Sequence, residues 1–223
     1  MILTVQEDVD MSKMVNLSVL IGGGGTGGHV FPGIAVAKEF RQRRPEASIV
    51  FVGTSRGLEV QAVPRAGFEI EFIRSAGLKG RSRMATVRAV ALLPFSLWDA
   101  WRVVSRRKPN LVVGVGGYSS GPLVFVAALL GIPTMLLEQN AVPGLTNRWL
   151  APFVRSAAVS FDAALPFFGR KGFVSGNPVR PEFFDCPVPT DTTSSTCRLL
   201  VVGGSQGAQA INKAMAVAAP ALA

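Results

Sequence analysis

The sequence is poor in acids, cysteine and histidine, and each shortage narrows what the chain can be. Asp and Glu number 14 against 23 Lys and Arg, a formal charge of +9 over 223 residues. That balance favours an anionic partner: nucleic acid, an anionic membrane surface or a phosphorylated substrate. Cys186 and Cys197 are the only cysteines, too few for a disulfide framework and without the spacing of a zinc site. Both read as free thiols in a reducing compartment. The opening "MILTVQEDVDMSKMVNLSVL" lacks the cationic start and the cleavage pattern of a signal peptide, and Met11 and Met14 are alternative starts. Charge is absent from Leu111 to Leu137, a run long enough to suggest a membrane span. Its glycines and prolines argue otherwise, because they divide it into an apolar strand, a Gly-Ser turn, a buried helix, the breaker "GIP" and a second strand.

What is present is an alternation. Apolar residues make up 48% of the chain, ample for a core. The strand-like runs "LSVLIGG", "SIVFVG", "FEIEFI", "NLVVGVGG", "TMLLEQN", "SAAVSF" and "KGFVSGNPV" are interleaved with helical stretches. Helices are expected from about Pro32 to Arg43, from near Gly57, over a long segment after "FEIEFI", and around Leu145 to Ala151. Such βαβ alternation with apolar strands implies an α/β fold: a parallel sheet covered on both faces, with ligands at the carboxyl ends of the strands. The expected organisation is a leader over 1–14, a Rossmann-like domain over 15–185, and a linker over 186–197 in "CPVPTDTTSST". The final "CRLLVVGGSQGAQAINKAMAVAAPALA", residues 198–223 without its first cysteine, reads as the first βα unit of a second Rossmann-like domain. A complete one needs on the order of 150 residues, so the sequence looks truncated.

The first strand runs into "GGGGTGGH", six glycines around Thr26 followed by the single histidine, His29. Gly23, Gly25 and Gly28 satisfy G-x-G-x-x-G, so a dinucleotide site has to be weighed. That site also wants an acid at the end of the second strand, where "SIVFVGTSRG" has Gly53 and Thr54. A Walker loop fails because Gly28 stands where its lysine belongs. What remains is backbone that lets a ligand approach, with helix-start N–H groups suited to a phosphate or pyrophosphate. The plain alternative is a tight turn with no ligand. At the start of a helix the local dipole favours a neutral imidazole for His29, and a neutral imidazole can accept a proton.

In chain order, "GGTGGHVFPGIAVA", "GVGGYSSGP", "EQNAVPGLTNRWL", "GNPVR" and "VVGGSQGAQAIN" resemble the MurG family of peptidoglycan N-acetylglucosaminyltransferases, in the GT-B superfamily. The likeness covers nearly the whole chain from about Val15. It implies two Rossmann-like domains around a cleft, and transfer of N-acetylglucosamine from UDP-N-acetylglucosamine to the C4 hydroxyl of the muramoyl sugar of lipid I, giving lipid II. It also implies inversion at the anomeric carbon, with no metal ion or other cofactor. The acceptor side would lie mostly in the N-terminal domain and the nucleotide-sugar pocket mostly in the C-terminal one. By the same resemblance Thr26, Gly27 and Gly28 would face the donor sugar and Asn140 would contact it. Arg180 would face the nucleotide phosphates, and Ser205 would bind near the pyrophosphate. Gly24, Gly25, Gly117, Tyr118 and Ser119 would belong to the acceptor and pyrophosphate loops, with His29 as base or acceptor-orienting group. Asn140 could instead cap the next helix, and Arg180 could pair with a surface acid. The family pattern usually has histidine before "EQN", where this chain has Leu137.

Lipid I carries an undecaprenyl tail, so the resemblance also implies a peripheral position on the cytoplasmic face of the bacterial membrane. "LKGRSRMATVRAVALLPFSLWDAWRVVSRRKP" mixes Leu78, Met84, Leu93, Phe95, Trp98 and Trp101 with Lys79, Arg81, Arg83, Arg88, Arg102, Arg106 and Arg107, which suits anionic headgroups. The competing expectation is that its apolar spacing buries one helix face on the sheet, with Pro94 kinking the helix and the basic loop before it left as the membrane contact. A nucleic-acid partner is not expected, because no reading motif accompanies the charge. The alternative to an enzyme is a membrane-associated fragment of the same fold that lacks the donor pocket and does not turn over.

Overall fold

The computed structural model describes residues 17–76, 83–179, 199–203 and 208–222. The chain divides into two compact units, residues 1–180 and 181–223. In the first, seven strands form one sheet: β1 Ser18–Gly23, β2 Ser48–Gly53, β3 Glu69–Phe72, β4 Leu111–Gly116, β5 Thr134–Glu138, β6 Ser156–Val159 and β7 Gly172–Val174. The helices of this unit are α1 Gly27–Arg43, α2 Glu59–Arg65, α3 Arg83–Arg107, α4 Ser120–Leu129 and α5 Leu145–Leu150. Every pairing is parallel and the order is β3-β2-β1-β4-β5-β6-β7. This is the doubly wound, Rossmann-like order. Its chain direction reverses between β1 and β4, so the loops leaving those two strands border the crevice where such sheets bind ligands.

The strands are apolar because both faces are covered, and alternation sorts their side chains. Leu20, Val50, Val52, Val112 and Leu136 pack with α3, α4 and α5 on one face. Val19, Ile21, Ile49, Phe51, Val113 and Val115 pack with α1 and α2 on the other. The charge-free run from Leu111 to Leu137 folds as β4, α4 and most of β5, the strand-helix-strand division its glycines predict. Helix α1 starts at Gly27, one turn earlier than its predicted start at Pro32. The difference is that Thr26 supplies the extended cap, so that Pro32 falls inside the helix.

Helix α3 departs from expectation. It contains Pro94, and the Ser96 hydroxyl ties it down by donating to the carbonyl of Arg74, with the Leu92 carbonyl also within reach. Ala100, Val103 and Val104 are buried beneath it. Leu97 is partly buried against the same core, whereas Val87, Val90, Leu93, Phe95, Trp98 and Trp101 are exposed, the two tryptophans by 56% and 43%. The helix therefore packs Leu97, Ala100, Val103 and Val104 on the core and leaves its described aromatic residues outside. Arg106 and Arg107, assigned above to the basic-aromatic mixture, are instead paired with Glu69 and Glu71 of β3. The basic loop before α3 lies outside the described residues over 77–82.

In the second unit, α6 covers Gln209–Leu222. The strand expected before it is not formed over residues 199–203, and Leu199, Leu200 and Val202 are exposed. A lone strand has no neighbour to take its backbone hydrogen bonds. The predicted linker over 186–197 lies outside the described residues.

Arg74 grips Asp99 of α3 with Nε and Nη2, both at 2.7 Å, and with its backbone N–H at 3.0 Å. The guanidinium bonds, more than any other influence, hold the Asp99 carboxyl below its usual 3.8. A depressed folded-state value means stability that is present above the unfolded pKa and is lost as pH falls toward the folded one. Asp99→Asn should lower stability at neutral pH by up to about 1 kcal/mol, since the pair is partly open to solvent. It should also narrow the gap between urea melts recorded at about pH 7 and about pH 3; an unchanged gap would show that the pair carries no linkage.

Candidate functional site

At the reversal of strand order the loops after β1 and β4 meet backbone to backbone. Gly117 has φ +84°, and a Cβ there would stand 2.3 Å from the Gly24 carbonyl oxygen and 3.0 Å from its nitrogen. Only glycine permits both the left-handed conformation and the approach. Gly24, Gly25, Gly117, Tyr118 and Ser119 are thus brought together at the strand tips, with Gly24 and Ser119 buried and Gly25 and Tyr118 exposed. Ser75, from the loop after β3, joins them by donating to the Tyr118 carbonyl at 2.8 Å. The Tyr118 ring is exposed.

Helix α1 opens beside these loops. Thr26 is extended, its carbonyl accepts from the amides of His29 and Val30 at 3.1 Å, and its hydroxyl makes no cap. Helix α4 starts beside the second glycine loop without a side-chain cap. Two helix starts therefore face the same crevice, the arrangement that suits a phosphate or pyrophosphate. Buried Ser119 and Ser120 have hydroxyls without a partner among the described residues.

His29 sits in the first turn of α1, half-buried, with its ring against the end of β4. A Cβ on Gly116 would come within 2.7 Å of its Nδ1. On the other side, Gln139 Oε1 lies 3.4 Å from Nδ1, and Gln139 Nε2 donates to the Val115 carbonyl at 3.2 Å. The "EQN" loop thus reaches the histidine through its glutamine. Asn140 does not cap α5, whose N-cap residue is Gly144. Its backbone and side-chain N–H groups donate to Glu138 Oε1 at 2.9 and 2.8 Å. Leu137 is buried in the α1 face of the core, so that position points into the sheet packing.

Two buried carboxylates shape these loops, and neither stands out in the sequence. Glu138 also accepts from Gly144 N–H at 3.0 Å and from Asn147 Nδ2 at 2.9 Å. Glu59, with no exposed surface, accepts from Gly25 N–H at 2.8 Å, Thr54 N–H at 3.0 Å and Thr54 Oγ1 at 2.9 Å. The Gly25 amide is therefore committed inside the protein; that residue contributes shape to the loop, not a donor. The same geometry bears on the dinucleotide alternative, because the carboxylate nearest the tip of β2 is turned inward and offers nothing to a ribose. A signal was available in "GTSRGLE": glycines at 53 and 57 leave room for a side chain where any Cβ would collide with Glu59. Arg180 and Ser205 lie outside the described residues, as do Gly204 and Gly207 of "VVGGSQG".

Glu59→Gln would turn one carboxylate oxygen into a donor facing the Gly25 or Thr54 N–H. The expected result is a loss of about 1–3 kcal/mol in chemical denaturation, together with faster hydrogen exchange at the Gly25 and Thr54 amides. Unchanged exchange at both would remove Glu59 as the organiser of the loop.

Comparison with known proteins agrees with this geometry. Residues 19–159 match the glycosyltransferase family 28 N-terminal domain. A UDP-N-acetylglucosamine--N-acetylmuramyl-(pentapeptide) pyrophosphoryl-undecaprenol N-acetylglucosamine transferase from Anaeromyxobacter dehalogenans (strain 2CP-C) is 47% identical over 208 residues, 93% of this chain and 54% of that protein. The chain thus spans about half the length of the curated relatives it matches. A crystal structure of Acinetobacter baumannii MurG aligns with a TM-score of 0.62 at 30% identity, covering 74% of this chain and 46% of that one. The UDP-GlcNAc 2-epimerase from Neisseria meningitidis, with a TM-score of 0.54 at 12% identity over 73% of this chain and 47% of that one, shares the fold alone. With its parallel sheet, its paired glycine loops and a match through all but the last of its strands, the chain belongs to glycosyltransferase family 28, by way of that family's N-terminal domain.

Proposed function

We propose that this chain is the acceptor-side half of a glycosyltransferase that moves N-acetylglucosamine from UDP-N-acetylglucosamine to lipid I in peptidoglycan synthesis. The observation that carries the reading is the joined pair of glycine loops with His29 between them, at the crevice of a family 28 sheet. The relatives named for this transfer support the choice of substrates. In this reading the helix starts of α1 and α4 receive the pyrophosphate of lipid I and place the muramoyl C4 hydroxyl near His29. Thr26, Gly27, Gly28 and Asn140 lie toward the donor sugar. Arg180 and Ser205, with the 198–223 segment as the start of the donor domain, serve the nucleotide phosphates. His29 takes the hydroxyl proton while the oxygen attacks the anomeric carbon from the face opposite the leaving group. The bond to UDP breaks, the electron pair leaves on UDP, and the configuration inverts. No metal or cofactor is called for.

The test uses a protein of the relatives' full length that carries this half. His29→Ala should lower turnover with lipid I by about 10²–10⁴-fold, the usual worth of a positioned base, and should leave UDP-N-acetylglucosamine affinity within a few-fold. Unchanged turnover would take His29 out of the mechanism.

The same reading places the protein on the cytoplasmic face of the membrane as a peripheral enzyme. Among the described residues no helix is long and apolar enough to cross a membrane. Support comes instead from the outer side of α3. Val87, Val90, Trp98 and Trp101 recur at helical spacing along one side, and the Trp98 and Trp101 rings lie 5.0 Å apart. Exposed aromatics on a helix of a strongly basic protein suit the headgroup region of an anionic surface. In co-sedimentation, the chain should bind vesicles containing phosphatidylglycerol more tightly than phosphatidylcholine vesicles, and Trp98→Ala with Trp101→Ala should weaken both. Equal binding to the two lipids would discard the electrostatic part, and indifference to the substitutions would discard the helix.

A further inference from the structure

We infer that Gln139 is a positioning residue that selects the tautomer of His29, keeping the proton on Nδ1 and leaving Nε2 as the basic nitrogen. The argument begins with a group that has no choice. The Val115 carbonyl can only accept, so the end of the Gln139 amide that faces it at 3.2 Å must be the NH2. The amide oxygen then faces His29 Nδ1 at 3.4 Å. An amide oxygen also only accepts, so Nδ1 must bring the hydrogen. The alternatives fail as a set. With the proton on Nε2, the Nδ1 lone pair would face the amide oxygen. Turning the amide over to suit that tautomer would set its oxygen against the Val115 carbonyl. One combination satisfies both contacts, and it is the Nδ1–H form.

The ring has little freedom to escape. Gly116 lies against it so closely that a Cβ would stand 2.7 Å from Nδ1 and 2.8 Å from Cε1. The backbone N–H of His29 is bound to the Thr26 carbonyl at 3.1 Å in the first turn of α1. Among the described residues, no hydrogen-bond partner meets Nε2. A ring held on its Nδ1 side and open at Nε2 presents a single lone pair. This part rests on the proposed function: if His29 takes the acceptor proton, Nε2 is the atom that receives it. The partner that fixes this is neutral. It decides which nitrogen is basic without adding a charge to the site, as a carboxylate in the same place would.

The chain has one histidine, so its imidazole nitrogens can be read without assignment in this chain labelled with 15N-histidine. Long-range 15N–1H correlation at alkaline pH should place Nδ1 in the range of protonated imidazole nitrogens and Nε2 in the unprotonated range. Gln139→Met removes both polar contacts at similar length, and should move the pattern toward the Nε2–H form that free histidine prefers. A wild-type spectrum with the proton on Nε2 would overturn the inference with no variant needed. So would a folded Gln139→Met protein that keeps the Nδ1–H pattern. Turnover does not enter this readout: an Nδ1–H tautomer in a protein whose activity survives His29→Ala would uphold the inference and defeat the role proposed for His29 as base.

Discussion

The side chain of Glu59 is enclosed where an ionised carboxylate is costly to place, with no exposed surface and three glycines around it that would each collide with it if they carried a Cβ. The cost is offset by three donors converging from two loops: the N–H of Gly25 from the loop after β1, and both the N–H and the hydroxyl of Thr54 from the loop after β2. Those two strands are neighbours in the sheet, and Glu59 is the tie between their tips. The Gly25 loop can turn at φ +91° and still reach α1 at Thr26 because its free amide has a fixed acceptor behind it. The second glycine loop leans on the first through Gly117 and Gly24, so its position is inherited from the same tie. On the other side of the reversal, Glu138 does comparable service, drawing Asn140, Gly144 and Asn147 around one carboxylate. The crevice is built from backbone, and buried acids hold that backbone in shape.

This architecture explains which parts of the molecule are legible in the sequence. The strands are, because a sheet covered on both faces demands continuous apolar runs such as "SVLIGG" and "LVVGVG", and glycine or proline marks where each one stops. The crevice is legible as a place, since two glycine clusters follow the two strands that flank the reversal. Its supports are not. Glycines 53 and 57 hint at room for Glu59, but nothing local to Glu59 or Glu138 says that their partners are amides 34 residues upstream or nine residues downstream. Gln139 is hidden for the same reason, since its contact with His29 spans 110 residues. Loop-to-loop hydrogen bonds are tertiary facts, and periodicity carries no trace of them. The segment after Thr196 shows another limit. "RLLVV" has every local mark of a strand, yet a strand exists only in company, and among the described residues 199–203 pair with no neighbour.

The charge surplus is likewise distributed by tertiary structure rather than by composition. Arg74, Arg106 and Arg107 are spent on Asp99, Glu69 and Glu71, pinning α3 to β3 and to the segment that follows it. Arg41 is spent on the Phe68 ring and on the carbonyls of Ala66 and Gly67. Such pairings are partly exposed and modest in energy, but they fix which face of α3 turns outward. With Ala100, Val103 and Val104 inward and the arginine pairs at its end, the helix cannot rotate to hide Trp98 and Trp101. Exposure of the aromatics follows from how the helix is anchored.

A rigid crevice places particular demands on the histidine within it. The amides at the starts of α1 and α4 form a field that favours negative charge, which is what a pyrophosphate needs and what a protonated imidazole opposes. A carboxylate hydrogen-bonded to Nδ1 would make the ring a stronger base, but it would also repel the pyrophosphate proposed to bind at these loops. A neutral amide avoids that conflict. Gln139, anchored on the Val115 carbonyl, orients the ring and chooses its tautomer while leaving the potential of the crevice to the backbone. The use of glycine amides for charge and a glutamine for orientation keeps the two requirements separate. Leu137 in the core just before the motif is consistent with that division, since it adds no second titrating group beside the first.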